Sequence, residues 1–254
     1  MAMPGPSWDA VSASALRPST DAVIVVACRL EAPPAEVQAL RQLLAPDELA
    51  RADRFRADPL RDAFVVGRAH VRRVLGLATG CPPGSLRFGA EPGGKPRLVG
   101  PAGERLRFSV AHSRNLFLCA VILDRAVGVD VEHVDAGTEW EEIAARHLAE
   151  RERRALATLP AAARQAGFFD CWTRKEAVVK ATGEGFTRQL DSFVVSVTPD
   201  HGEVLSCDPS LGTPDSWFLS PVPISPGYRA AVAVRGGYQR IALRLAWWDA
   251  SPST

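Results

Sequence analysis

The chain has 254 residues with 30 basic and 29 acidic side chains, which leaves a formal net charge of +1. A surface that coats nucleic acid carries a strong basic excess, so this balance argues against nucleic acid as a partner. No apolar run approaches the ~20 residues that cross a bilayer, and the N-terminus has neither the basic start nor the apolar stretch of a secretory signal. Membrane association is therefore not expected.

The five cysteines are odd in number, far apart and without a C-x-x-C spacing, which disfavours both a zinc site and a disulfide framework. Reduced thiols in a cytoplasmic protein are the simplest interpretation. Among the 30 basic residues only three are lysines, which makes each of them worth examining. They are Lys95, Lys175 and Lys180.

The first part of the chain predicts a tail, a strand and a long helix. Residues 1–20 are rich in Pro, Ser and Ala and are interpreted as a flexible tail, and the β-branched run at 21–30 predicts a buried strand. A helix is predicted from an N-cap at Asp58 to Gly80. Its apolar stripe consists of Leu60, Phe64, Gly67, Val71, Val74 and Leu75. Its border carries Arg61, Arg68 and Arg72, a pattern typical of a solvated helix edge.

The rest of the chain alternates strands and helices. The apolar runs 116–123 and 126–134 predict a β-hairpin. A capping box of Thr138 and Glu141 predicts a helix to about residue 159, and 167–183 predicts another. Short β-rich runs between turns near the C-terminus favour antiparallel sheet. We place the division between an N-terminal half, 21–125, and a C-terminal half, 126–254, at the predicted hairpin.

Two carboxylates lie on one face of the strand AVGVDVEHV. The strand period of two places Asp130 and Glu132 on the same side, with Cα atoms about 6.5–7 Å apart, while the alternate valines face the other way. Like charges so close repel unless water, a base or a cation lies between them. A half-exposed strand also produces this pattern by chance. Gly128 beside them would let another backbone or a ligand come close.

Three charged residues follow in the helix GFFDCWTRKEAVVKATG. Lys175 lies at the border of its apolar stripe, an unfavourable place for an ammonium group unless it reaches an anion or solvent. Glu176 and Lys180 are four residues apart, which by itself predicts an ordinary helix-stabilising ion pair. Two further candidates are Lys95 in a Gly-Lys-Pro turn and His112 in FSVAHS, although a turn lysine and a lone histidine are often ordinary surface groups.

In order and spacing these motifs resemble the 4′-phosphopantetheinyl transferases. The resemblance rests on GKP, F-S-x-x-H-S, G-V-D-V-E and W-x-x-K-E-A-x-x-K, and extends from about residue 44 to residue 197. The length resembles the Sfp-type branch, which looks like two fused copies of the short carrier-protein synthase subunit. The resemblance implies an α+β protein of two similar, pseudo-twofold halves with the active site in the cleft between them. It also implies a monomer.

The resemblance implies transfer of phosphopantetheine from coenzyme A to a serine of an acyl, peptidyl or aryl carrier protein, with release of 3′,5′-ADP. Such enzymes serve fatty-acid, polyketide, nonribosomal-peptide and siderophore synthesis. The implied ligands of Mg²⁺, or Mn²⁺, are Asp130, Glu132 and Glu176. Glu176 would also be the base, directly or through water, and Lys180 would neutralise the leaving phosphate. Coenzyme A phosphates would be held by Arg51, Arg68, Lys95, His112, Lys175 and Lys180.

Two departures from the family pattern concern the 3′-phosphate: Ala111 stands where the family has a serine, and Glu48 where some relatives are basic. Two other functions remain open. A magnesium-dependent hydrolase of a nucleotide pyrophosphate would share the acidic residues. A catalytically silent carrier-binding module would not need them.

Overall fold

Two β-sheets lie face to face in the computed structural model, which describes residues 8–12, 14–184, 188–236 and 241–248. Valines and other apolar side chains from both sheets fill the space between them. The outer face of the first sheet packs on a helix of 22 residues, and the outer face of the second sheet packs on another of the same length. The order of layers is therefore helix, sheet, sheet, helix.

The first half of the chain is built in the order strand, helices, hairpin, strands. Its strands are β1 (Asp9–Ala10), β2 (Ala22–Arg29), β3 (Arg87–Ala90), β4 (Pro96–Val99), β5 (Leu106–Ser113) and β6 (Leu116–Leu123). Its helices are α1 (Pro34–Arg41), α2 (Pro46–Ala52), α3 (Asp58–Thr79) and the short α4 (Pro101–Arg105). In the first sheet β6 lies between β2 and β5 and is antiparallel to both.

The second half repeats this order. Its strands are β7 (Ala126–His133), β8 (Phe193–Val195), β9 (Val204–Cys207), β10 (Trp217–Pro221), β11 (Tyr228–Arg235) and β12 (Ala242–Trp247). Its helices are α5 (Trp140–His147), α6 (Glu150–Thr158) and α7 (Ala161–Thr182). In the second sheet β11 lies between β7 and β10 and is antiparallel to both. The repeated topology confirms the predicted α+β fold of two similar halves.

Several predicted elements are confirmed. The buried strand is β2, and α3 ends at Thr79 because Gly80 adopts the left-handed conformation, with φ of 71°. The start of α3 differs from the prediction, since Ala57 is the N-cap and Asp58 is the first helical residue. Leu60 does not join the buried stripe: it is 61% exposed, like the other residues of the first turn of α3, Asp58 and Pro59.

The predicted hairpin at 116–134 is wrong. β6 pairs with β2 and β5, whereas β7 pairs with β11 in the other sheet. Both strands contribute side chains to the core between the sheets. The chain therefore crosses from one sheet to the other at residues 124–125 instead of folding back in one sheet, and Asp124 makes this corner with a positive φ of 58°.

The capping box of Thr138 and Glu141 is also wrong, and the single helix predicted there is two. The N-cap of α5 is Glu139, without a side-chain hydrogen bond, and Leu148 is extended between α5 and α6. The carboxylate of Glu152 instead accepts from the backbone N–H of Ala149 at 2.9 Å, at the start of α6.

Both ends of the chain join the first sheet. β12 is parallel to β2, not antiparallel as predicted, and β1 is parallel to β12. The predicted flexible tail therefore includes a short strand, and Leu16 within it is fully buried. The division into halves at residues 21–125 and 126–254 remains a prediction. β12 belongs to the second half of the chain but pairs with β2 in the first sheet. None of the helices in the described residues is long and apolar enough to span a membrane.

Candidate functional site

The long helix α7 lies directly on β7 where that strand lacks a side chain. A Cβ atom on Gly128 would lie 1.9 Å from the carbonyl oxygen of Ala177 and 2.5 Å from the backbone nitrogen of Ala181. Glycine is therefore required here, as its position beside the acidic pair suggested. The close approach brings the charged residues of α7 to the strand that carries Asp130.

Asp130 is buried, with 4% of its surface exposed, and its Oδ1 forms an ion pair with the Lys180 ammonium at 2.6 Å. Its other oxygen, Oδ2, is buried and has no hydrogen-bond partner among the residues that the structure describes. Burial raises the pKa of Asp130 to about 7. The Lys180 ammonium lowers this pKa, whereas the carboxylates of Glu132 and Glu176 raise it further. Lys180 thus pairs across to the strand and not with Glu176, the i,i+4 partner that the sequence alone suggested.

Glu176 and Glu132 lie beside this pair. Burial raises the pKa of Glu176, and the Glu132 carboxylate adds to that effect, while Lys180 opposes it. Glu132 accepts a hydrogen bond from the hydroxyl of Ser113 at 2.9 Å. Asp130, Glu132, Glu176 and Lys180 therefore form one electrostatically coupled cluster between β7 and α7.

Lys95 enters the same region from the first half. Its ammonium donates to the carbonyl oxygen of Val127, on β7, at 2.7 Å. Burial lowers the pKa of Lys95 to about 8, although the nearby Glu91 carboxylate opposes this. The turn that holds Lys95 packs against the end of α7, since a Cβ on Gly93 would lie 1.8 Å from the carbonyl oxygen of Gly183.

A pocket of about 270 Å³ lies between the two halves at this point. One wall comes from the first half: Gly93, Gly94, Lys95 and Pro96 of the turn, with Ser109 and Val110 of β5. The other wall comes from α7 and its end: Glu176, Val179, Lys180 and Gly183. The pocket thus joins a carboxylate with two lysines from opposite sides, within a lining that is otherwise mostly apolar.

Lys175 does not face this pocket. It is fully buried, and its ammonium pairs with Glu152 at 2.8 Å and donates to the carbonyl oxygens of Leu190 and Phe193 at 2.7 and 2.5 Å. These three partners use all three N–H donors of the ammonium group. The expectation that Lys175 contacts a phosphate is corrected accordingly, because it has no donor to offer and no access to solvent.

Three of the predicted ligands of the coenzyme A phosphates lie outside the residues that line the pocket. Arg68 on α3 is held by Glu48, with its Nε donating to Oε1 at 2.9 Å. Arg51 is exposed at the end of α2, with its guanidinium 5.1 Å from the centre of the Phe64 ring. His112 is exposed near the end of β5. The structure therefore brings together Asp130, Glu132, Glu176, Lys180 and Lys95, but not these three residues.

Glu48 is the feature whose role the sequence did not indicate. It is 6% exposed, and its Oε2 accepts from Arg72 at 2.7 Å and from the backbone of Ala45 at 2.9 Å. Arg72 is 1% exposed and not at a solvated edge, and it also donates to the carbonyl oxygens of Pro83 and Leu86. The sequence signal for this role was the position of Glu48 at the third residue of a short helix. A glutamate there often accepts a hydrogen bond from the backbone N–H of the N-cap residue.

The fit of this cluster to a metal ion can be judged from its donors. Among the described residues, no three His, Cys, Asp or Glu side chains are grouped as in a formed metal centre. The chemistry still suits a hard cation, because carboxylate oxygens are the ligands that Mg²⁺ prefers and the buried Asp130 Oδ2 has no partner in the described part of the chain. The ligand set remains a prediction.

Comparisons with known proteins agree on one family. The profile of the 4′-phosphopantetheinyl transferase superfamily matches residues 126–233. The chain is 38% identical to the 4′-phosphopantetheinyl transferase HetI of Nostoc sp. over 212 residues, 83% of this chain and 86% of that protein. It is 26% identical to the 4′-phosphopantetheinyl transferase Sfp of Bacillus subtilis, covering 78% of this chain and 84% of Sfp.

A solved structure is also similar in part. The holo-[acyl-carrier-protein] synthase of Thermotoga maritima matches 44% of this chain and 62% of its own, with a TM-score of 0.36 and 23% identity.

Proposed function

Because the chain belongs to the 4′-phosphopantetheinyl transferase superfamily, we propose that it transfers phosphopantetheine from coenzyme A to a serine of a carrier protein, releasing 3′,5′-ADP. The observation that carries the proposal is the coupled cluster of Asp130, Glu176 and Lys180 beside a pocket that both halves build. Phosphoryl transfer depends mainly on positioning and charge stabilisation, which this set of groups can supply.

The two lysines of the pocket are suited to the phosphates of coenzyme A. Lys95 and Lys180 approach from opposite walls, so a diphosphate between them would be neutralised from both sides. Burial strengthens such contacts, because the surrounding dielectric is lower than that of water. Arg51, Arg68 and His112 remain proposed contacts of the nucleotide end, outside the pocket itself.

Glu176 is the proposed base. Its raised pKa makes its carboxylate a better proton acceptor than an exposed glutamate, and it lines the pocket where the carrier serine would enter. The serine oxygen forms a bond to the β-phosphorus while the bond to the 3′,5′-ADP oxygen breaks. The serine proton passes to Glu176, directly or through water, and Lys180 stabilises the charge on the departing phosphate.

Asp130, Glu132 and Glu176 are the residues that would hold Mg²⁺, or Mn²⁺. When bound, the ion would neutralise the diphosphate and remove the repulsion between these carboxylates. Proposed partners are acyl, peptidyl or aryl carrier domains, and the proposed location and state are a cytoplasmic monomer. A monomer is supported by the repeated halves, since each contributes one wall of the pocket.

The proposal is tested by mixing the protein with Mg²⁺, coenzyme A and an apo-carrier and measuring the carrier by intact mass spectrometry. Gain of one phosphopantetheine group supports transfer. Breakdown of coenzyme A without gain on the carrier would indicate a pyrophosphate hydrolase, and carrier binding without either reaction would indicate a silent module. Lys180→Ala should slow turnover at saturating coenzyme A more than it weakens coenzyme binding, and an unchanged rate would remove Lys180 from the mechanism.

A further inference from the structure

The hydroxyl of Ser113 connects the two halves of the chain. It accepts a hydrogen bond from the backbone N–H of His133, on β7, at 3.0 Å and donates to Glu132 Oε2 at 2.9 Å. A serine hydroxyl has one proton, so accepting from the amide directs that proton towards the carboxylate. Ser113 thus fixes the orientation of the Glu132 side chain relative to the backbone of β7, the strand that carries Glu132.

Glu132 depends on this contact for its orientation. The side chain is half-buried near the end of β7, and within the described residues Ser113 is the one group that donates a hydrogen bond to it. Asp130 is held by Lys180 instead. Without the Ser113 hydroxyl, Glu132 would be free to rotate away from the other two carboxylates.

Ser109 provides a natural comparison on the same face of β5. Its hydroxyl accepts from the backbone N–H of Val129 at 3.1 Å, so it makes the same bridge to β7 four residues earlier. Both atoms of that bridge are buried, but the bridge does not reach a carboxylate. The two serines therefore share a structural bridge, and contact with the acidic cluster distinguishes Ser113.

We propose that Ser113 is a positioning residue that holds Glu132 in the orientation needed to bind the divalent cation. This inference rests on the proposed function. Hydrogen-bond partners of metal ligands typically change metal affinity or activity by about 10–100-fold when they are removed. Because the Ser109 bridge is more deeply buried, its loss should cost more stability than the loss of Ser113 but leave the cation affinity intact.

The test compares Ser113→Ala, Ser113→Thr and Ser109→Ala in the full chain. Mn²⁺ binding is measured by electron paramagnetic resonance with and without coenzyme A, the Mg²⁺ dependence of turnover is measured in parallel, and thermal unfolding gives the stability. We expect Ser113→Ala to weaken Mn²⁺ binding roughly 10–100-fold. Ser113→Thr should recover most of this affinity because it keeps the hydroxyl. Because Ser109 lines the pocket, its control is measured without coenzyme A, where Ser109→Ala should lower the melting temperature further and leave Mn²⁺ binding unchanged.

Equal Mn²⁺ affinity in Ser113→Ala and Ser109→Ala, or no recovery in Ser113→Thr, would overturn the positioning role and leave the proposed transferase intact. A wild-type protein that transfers phosphopantetheine without any divalent cation would refute both the proposed metal role and this inference. A wild-type protein without transferase activity that still shows the expected order of Mn²⁺ affinities would refute the proposed reaction alone.

Discussion

The first and second halves of the chain contain the same buried ion pair at the same place. In each half, the glutamate at the third residue of a short helix caps that helix and binds a cation at the fifteenth residue of the following 22-residue helix. The pairs are Glu48 with Arg72 and Glu152 with Lys175, at 2.7 and 2.8 Å. Arg72 also donates to the carbonyl oxygen of Leu86, just before β3, and Lys175 donates to those of Leu190, before β8, and Phe193, the first residue of β8.

The halves differ where the second half carries its acidic cluster. The fifth and seventh residues of β7 are Asp130 and Glu132, whereas those of β2 are the buried Val26 and Cys28. Residues 16 and 20 of α7 are Glu176 and Lys180, whereas those of α3 are Arg73 and Leu77. Positions that the halves share thus support the fold, and positions at which they differ provide the candidate chemistry.

The largest effect on turnover should come from a substitution in the acidic cluster of the second half. Glu176→Ala should lower kcat about 10²–10⁴-fold, because it removes the proposed base and a proposed cation ligand. Arg73→Ala, at the matching position of the first half, should keep kcat near the wild-type value. Steady-state kinetics at saturating coenzyme A and carrier measure both, and near-normal turnover by Glu176→Ala would refute its role.

The shared ion pairs should affect stability and not catalysis. Lys175→Met should lower the free energy of unfolding by about 3–5 kcal/mol, because it leaves the buried Glu152 without its cation. Arg72→Met should lower it by less, because Arg68 still pairs with Glu48. Denaturant titration measures the loss, and the KM for coenzyme A should be unchanged in protein that remains folded. A raised KM with unchanged stability in Lys175→Met would restore the phosphate-binding role that the structure argues against.

The smallest predicted effect concerns Lys95, which the first half contributes to the second half's cluster. Since burial lowers its pKa to about 8, the charged form predominates below that pH and is lost above it. We therefore expect kcat/KM for coenzyme A to fall with rising pH above about 8, by up to about tenfold per unit, because kcat/KM reports groups of the free enzyme. Lys95→Arg should remove this decline, and an identical decline in that variant would assign it to another group.

Local patterns predicted much of the scaffold and the candidate residues. The β-branched run of β2, the left-handed Gly80 and the alternation of Asp130 with valines were readable because they depend on near neighbours in the chain. Gly128 was also readable as a point of close approach. The order of the acidic and lysine motifs was sufficient to indicate the family.

The tertiary structure decided which strands pair and which charged side chains form ion pairs. Whether β6 and β7 form a hairpin depends on which sheet buries each strand, and the i,i+4 spacing of Glu176 and Lys180 could not indicate that Lys180 binds Asp130, 50 residues away. Lys175 illustrates the same limit: its motif implied a phosphate contact, but burial and three nearby acceptors hold it in the core. Sequence spacing determines which residues share a face, whereas the energetics of burying a charge depend on groups that only the fold brings together.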